Sequence, residues 1–175
     1  LFSAVACHSG DMGFELSVFP DLPRLMDAVR DHGSVGAVAE AHRAAANRRE
    51  GRWFGPMSML ALAAVYSPDP AEPLGVALPF DIETGRLRPE VLDRWRAMDP
   101  VELVERSEPA RRALAALRLL YFDCGRRDEH ALHWGARQLA DALRRHEIRF
   151  EHEEFDGGHR STQHRLDVSF PKLYA

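Results

Sequence analysis

The chain has 175 residues, the length of one ordinary domain, and 45% of them are hydrophobic against 29% charged. That balance excludes a disordered or fibrous chain, and the net charge of −4 argues against a nucleic-acid partner, which favours a basic face. No apolar run approaches the roughly 18 residues that span a bilayer, so no membrane partner is expected. The sequence also reads without a signal peptide, which sets the expectation of a cytoplasmic protein. Cys7 and Cys124, the two cysteines, lie far apart and make neither a zinc motif nor a disulfide framework, so free thiols are expected. Lysine occurs once, at Lys172; the arginine bias reads as GC-rich bacterial coding and not as chemistry.

In chain order, the first expected strand is the small-residue apolar run 2–7, ending at His8-Ser9-Gly10-Asp11. Helices follow at Leu22 to Val29 and at Val35 to Ala46, the second rich in alanine. A Pro-dense loop covers Pro68 to Pro73, and Pro79 to Gly85 reads as an extended piece closed by a turn. Pro89 to Met98 and Pro100 to Arg106 each open with proline at a helix's first turn, where its missing N–H costs nothing. A second strand covers 117–122 and stops at Asp123-Cys124-Gly125. Between His130 and His146, Leu132, Ala136, Leu139 and Leu143 recur at three- and four-residue steps, a single apolar stripe. A third strand, 148–155, alternates and stops at Asp156-Gly157-Gly158, and a last helix runs from Ser161 or Gln163 to Leu173. Strand, helix, strand at this spacing is a βαβ unit with a right-handed crossover. The organisation expected is core strand and loop at 1–15, a helical insertion at 16–112 that lids the sheet's C-terminal edge, and core again at 113–175. A separate small helical domain is the alternative for the insertion.

Parallel strands place their following loops on one rim, where ligands bind in open α/β sheets. An acid after one strand and a histidine after the next can orient an imidazole as general base. Asp128 and His159, 159 − 128 = 31 residues apart, are that pair, and Gly157-Gly158 lets the chain turn sharply to present the histidine. Asp128 also reads as the N-cap of the helix near His130, a role compatible with catalysis. Asp123 is the rival acid, although its place at a strand end reads as turn formation. Asp11 with Ser9 either binds substrate or caps its loop. Trp53, Phe54 and Met57, with Met59, either wall a substrate pocket or pack within the insertion.

Three segments carry a resemblance: 120–129 (LYFDCGRRDE), 132–139 (LHWGARQL) and 153–159 (EEFDGGH). They resemble the C-terminal part of the α/β-hydrolase branch that includes enterochelin esterases and esterase D. Tyr66-Ser67-Pro68, Leu78-Pro79-Phe80-Asp81 and Trp95 with Asp99-Pro100-Val101 are similar to the insert of bacterial members. The resemblance implies a serine carboxylic-ester hydrolase with triad order Ser, acid, His, in which Asp128 is the acid and His159 the base. It implies a small-molecule ester substrate and neither metal nor organic cofactor. The family's nucleophile sits in G-x-S-x-G, and no such motif occurs in these 175 residues. Leu1-Phe2-Ser3-Ala4-Val5 is similar to the stretch just after the family's nucleophile helix. The expected fold is therefore α/β, the C-terminal part of a hydrolase sheet with a long, mostly helical lid, its serine lying upstream. Ser9 is a weak substitute, because Cys7 and Asp11 stand where the nucleophile turn needs glycine. A non-catalytic folding or interaction unit is the alternative function. The partner expected is the N-terminal half of the same hydrolase, or a second copy joined through the first strand, which would otherwise leave unpaired N–H and C=O groups.

Overall fold

The computed structural model describes residues 2–175; Leu1, which opens the expected core segment 1–15 and the Leu1–Val5 stretch of the resemblance, lies outside them. Its elements in chain order are β1 (Ala4–His8), α1 (Phe14–Ser17), α2 (Leu22–His32), α3 (Val35–Ala44), α4 (Gly51–Tyr66), α5 (Pro89–Arg96), α6 (Pro100–Arg106), α7 (Glu108–Ala115), β2 (Leu119–Gly125), α8 (Leu132–Arg145), β3 (Glu151–Phe155) and α9 (Leu166–Tyr174). The three strands form a parallel sheet in the order β1-β2-β3, with Ala6 opposite Tyr121 and Phe122 opposite His152. The chain folds as two compact units, one holding the stretch to Ser17 together with Asp99–Ala175, the other Val18–Met98. The second unit thus falls inside the expected insertion at 16–112, since α6 and α7 belong with the sheet.

In the sheet unit, the stripe Leu132, Ala136, Leu139, Ala140 and Leu143 of α8 packs on Leu120, Phe122 and Cys124 of β2 and on Ile148. Each buried leucine is worth about 1.5–3 kcal/mol, so this layer supplies much of the unit's stability. Gly135 lets Met12 lie directly on α8, because a Cβ there would overlap the Met12 carbonyl. Asp99 holds the same loop down. Its buried carboxylate accepts the N–H groups of Gly13 at 3.0 Å and Phe14 at 2.7 Å, and it caps α6 through the Val101 N–H. The opposite sheet face is polar: His8, Tyr121 and Asp123 meet Arg165 and Ser169, which stand just before and within α9.

The second unit packs α2 on α3 and α4. Trp95 is fully buried, and its Nε1 donates to the Ser67 hydroxyl at 2.8 Å, which in turn donates to the Ala77 carbonyl. Asp81 accepts the Thr84 N–H at 2.8 Å, and Gly85 takes the positive φ of 68° that closes the turn before Phe80 bridges Leu87.

Candidate active site

The loops after β1, β2 and β3 leave the sheet on one rim, as parallel pairing requires. Asp128 lies in the loop after β2 with its side chain fully covered, and His159 lies after β3 with its side chain 37% exposed. Asp128 Oδ2 is 3.1 Å from His159 Nδ1. The other carboxylate oxygen, Oδ1, accepts the His130 N–H at 2.9 Å, and the Cys124 thiol stands 3.5 Å from Oδ2. These bonds correct one expectation. Asp128 does not cap α8, whose N-cap position is Ala131 in a left-handed conformation with no side-chain cap; it closes the tight turn before the helix.

A carboxylate on Nδ1 fixes the imidazole as the Nδ1–H tautomer and turns Nε2 outward as the base. Among the described residues no hydrogen-bond partner is found for His159 Nε2. The His130 ring meets the His159 ring edge to face at 4.8 Å between centroids. Asp11 is an exposed residue, yet its carboxyl is held above its ordinary value. Desolvation in the crowded loop is the main cause; the charge of Asp128 adds to it, while His159 and His130 oppose it.

Asp123 is no turn residue: it lies inside β2 and is buried. Its Oδ1 meets His8 Nδ1 at 2.8 Å, and its Oδ2 accepts from the Tyr121 hydroxyl at 2.7 Å and from Arg165 Nε at 2.8 Å. His8 Nε2 in turn lies 3.0 Å from the Ser169 hydroxyl. Ser169, His8 and Asp123 therefore repeat the connectivity of a serine triad, yet Ser169 is 1% exposed and Arg165 neutralises the acid. That relay fastens α9 to the sheet. Ser9, at the end of β1, has a positive φ of 50°, and its N–H is tied to the Asp123 carbonyl. Its hydroxyl is buried beside the Cys124 thiol, without a bond of ordinary geometry, and so is withdrawn from the rim.

Trp53, Phe54 and Met57 belong to the second unit, on α4. Trp53 is 6% exposed, stacked on His32 and edge-on to His42. Phe54 is 57% exposed, and with Met57 and Trp53 it lines a cleft of about 460 Å³ that His42, Arg48 and Arg49 also border. Among the described residues, no group of three or more His, Cys, Asp or Glu side chains is placed to hold a metal ion. Sequence reasoning missed Arg165, Ser169 and the part played by His8, whose partners lie up to 161 residues away. It also passed over Glu129, although the motif that singled out Asp128 contains it.

A buried carboxylate that orients a half-exposed imidazole on the carboxyl rim of a parallel sheet is an arrangement that can serve as an acid–base pair. No known family model matches the chain, and no curated protein does. Among the described residues, no helix is long and apolar enough to cross a membrane.

Proposed function

We propose that the chain supplies the acid and base of a serine carboxylic-ester hydrolase of the α/β-hydrolase type, acting on a small-molecule ester. The observation that carries the reading is the 3.1 Å bond from His159 Nδ1 to the fully covered Asp128. In the mechanism, His159 Nε2 removes the proton of a serine hydroxyl as that oxygen attacks the ester carbonyl. The same proton then passes to the departing alkoxide, and His159 repeats the cycle with water to release the acid. Asp128 stays ionised, keeps the Nδ1–H tautomer and stabilises the imidazolium. The serine comes from the N-terminal half of the same hydrolase, paired along β1. The reading assigns the reaction to a bacterial cytoplasm, in keeping with the free thiols of Cys7 and Cys124, and requires no cofactor.

The test is hydrolysis of a p-nitrophenyl ester by the chain joined to its serine-bearing half. His159→Ala should lower turnover by about 10³-fold or more, and Asp128→Asn by a comparable factor, because asparagine favours the wrong tautomer. Near-normal turnover of His159→Ala sinks the assignment. A second reading, a non-catalytic interaction unit, is favoured by the outer edge of β1, where Val5 is 38% exposed and Phe2 beside the strand 88%. Labelling of the assembled protein by a fluorophosphonate separates the two, since only the hydrolase carries an activated serine.

A further inference from the structure

Besides the Asp128–His159 bond and the Arg127–Asp156 ion pair, three hydrogen bonds tie the main chain of the His159 loop to the Asp128 loop. The Arg126 N–H donates to the Phe155 carbonyl at 3.0 Å, and the Arg127 N–H to the Gly157 carbonyl at 2.9 Å. The third bond differs in kind. Carboxylate oxygen Oε2 of Glu129 accepts the backbone N–H of His159 at 2.7 Å, from thirty residues away. Of these three main-chain ties it alone acts on the backbone of His159, and it alone draws on a side chain. The loop is also wedged from both sides. A Cβ at Gly125 would overlap the Gly157 carbonyl, while one at Gly158 would come within 2.8 Å of the Glu129 carboxylate.

We propose that Glu129 is a positioning residue, whose carboxylate clamps the His159 backbone so that the imidazole meets Asp128. The proposal rests on the Asp128–His159 dyad described above. Two glycines precede His159, and glycine loses more freedom on ordering than any other residue. The ring is partly exposed, so its bond to Asp128 competes with water. A charge-assisted bond at the His159 N–H fixes the main chain and leaves only the side-chain torsions for Asp128 to hold. The Glu129 carboxyl lies below its ordinary value, first because it accepts that N–H, so the charged, clamping form persists at neutral pH.

The test is nuclear magnetic resonance on the 175-residue chain at neutral pH, comparing Glu129→Ala and Glu129→Gln with the parent. Amide exchange at His159 and the His159 Nδ1 proton are read, and the His8 Nδ1 proton facing Asp123 serves as internal reference. Glu129→Ala should cut protection of the His159 amide by about tenfold and weaken the Nδ1 signal, with the His8 signal unchanged. Glu129→Gln keeps an acceptor oxygen and should restore most of the protection. Unchanged His159 amide protection in Glu129→Ala overturns the proposal, as does loss of the His8 and His159 signals together in both variants. Absence of the Nδ1 signal from the parent itself would remove the dyad, while the amide comparison would still decide the clamp.

Discussion

Asp123 is the most heavily bonded side chain of the sheet, and its partners decide what its loss costs. Burial pulls the Arg165 guanidinium down, but Asp123, Glu153 and Tyr121 outweigh it, so the group is held above its ordinary value. Asp123→Ala would leave that guanidinium buried without its main counter-charge, and should destabilise the protein by about 3–5 kcal/mol in urea unfolding; a loss below about 1 kcal/mol would show the relay to be ornamental. Cys124 offers a prediction of the opposite kind. Burial, reinforced by the charge of Asp128, pushes its thiol up to about 12. A raised value means that its contribution to stability is complete below the ordinary thiol range and is lost as pH rises toward 12. Native protein at mildly alkaline pH should therefore shield Cys124 from a thiol reagent, while denatured protein titrates two thiols; finding none after denaturation without reductant would reveal a disulfide. Asp128 and His159 were legible because strand ends and a Gly-Gly turn announce them locally. The identity of Asp123's partners was not, because the contacts to His8 and Arg165 depend on strand pairing and on the docking of α9, and no local spacing encodes either.

At the scale of elements, the βαβ unit was legible because its two signals are strong: alternation or dense apolar character in the strands, and an unbroken stripe in α8. Helix α4 was not, because Gly51, Gly55 and Pro56 crowd its first six positions and each argues against a helix interior. Packing settles the matter. Pro56 withholds only one bond, to the Arg52 carbonyl, while Trp53, Met59, Leu60 and Ala63 are buried. Gly55 faces the Arg24 side chain of α2, and a Cβ there would come within 2.7 Å of it. Helix α7 escaped notice although Ser107 caps it by accepting the Ala110 N–H at 3.3 Å. The junction of β2 with the His159 loop is the element-level test of the site. Gly125→Ala forces the Gly157 carbonyl away, at a cost of about 1–3 kcal/mol. It should lower the melting temperature and weaken the His159 Nδ1 signal; retention of both would mean that the loop has slack the packing does not suggest.

For the sheet unit as a whole, the unsolved problem is the outer edge of β1. Among the described residues β1 pairs only with β2. The Ser9 N–H donates to the Asp123 carbonyl and the Ser3 carbonyl accepts from Arg118. Strand alternation therefore turns the main-chain groups of Val5 and Cys7 toward β2 and those of Ala4, Ala6 and His8 toward the open edge. Near it, Phe2 is 88% exposed, and Leu166, Phe170 and Tyr174 of α9, which packs on β1, expose a stripe at four-residue steps. Unpaired strand groups beside apolar surface are a template for another chain. The purified chain should accordingly self-associate in light scattering, and Val5→Lys should shift it toward monomer by placing a charge beside that edge. Hydrogen exchange locates the contact: Val5 is protected by β2 in either state, whereas Ala6 gains protection only when the edge is covered. A monomer in which Ala6 exchanges as slowly as Val5 would mean that this chain covers its own edge, and the pairing of β1 with a serine-bearing half would then have to be abandoned.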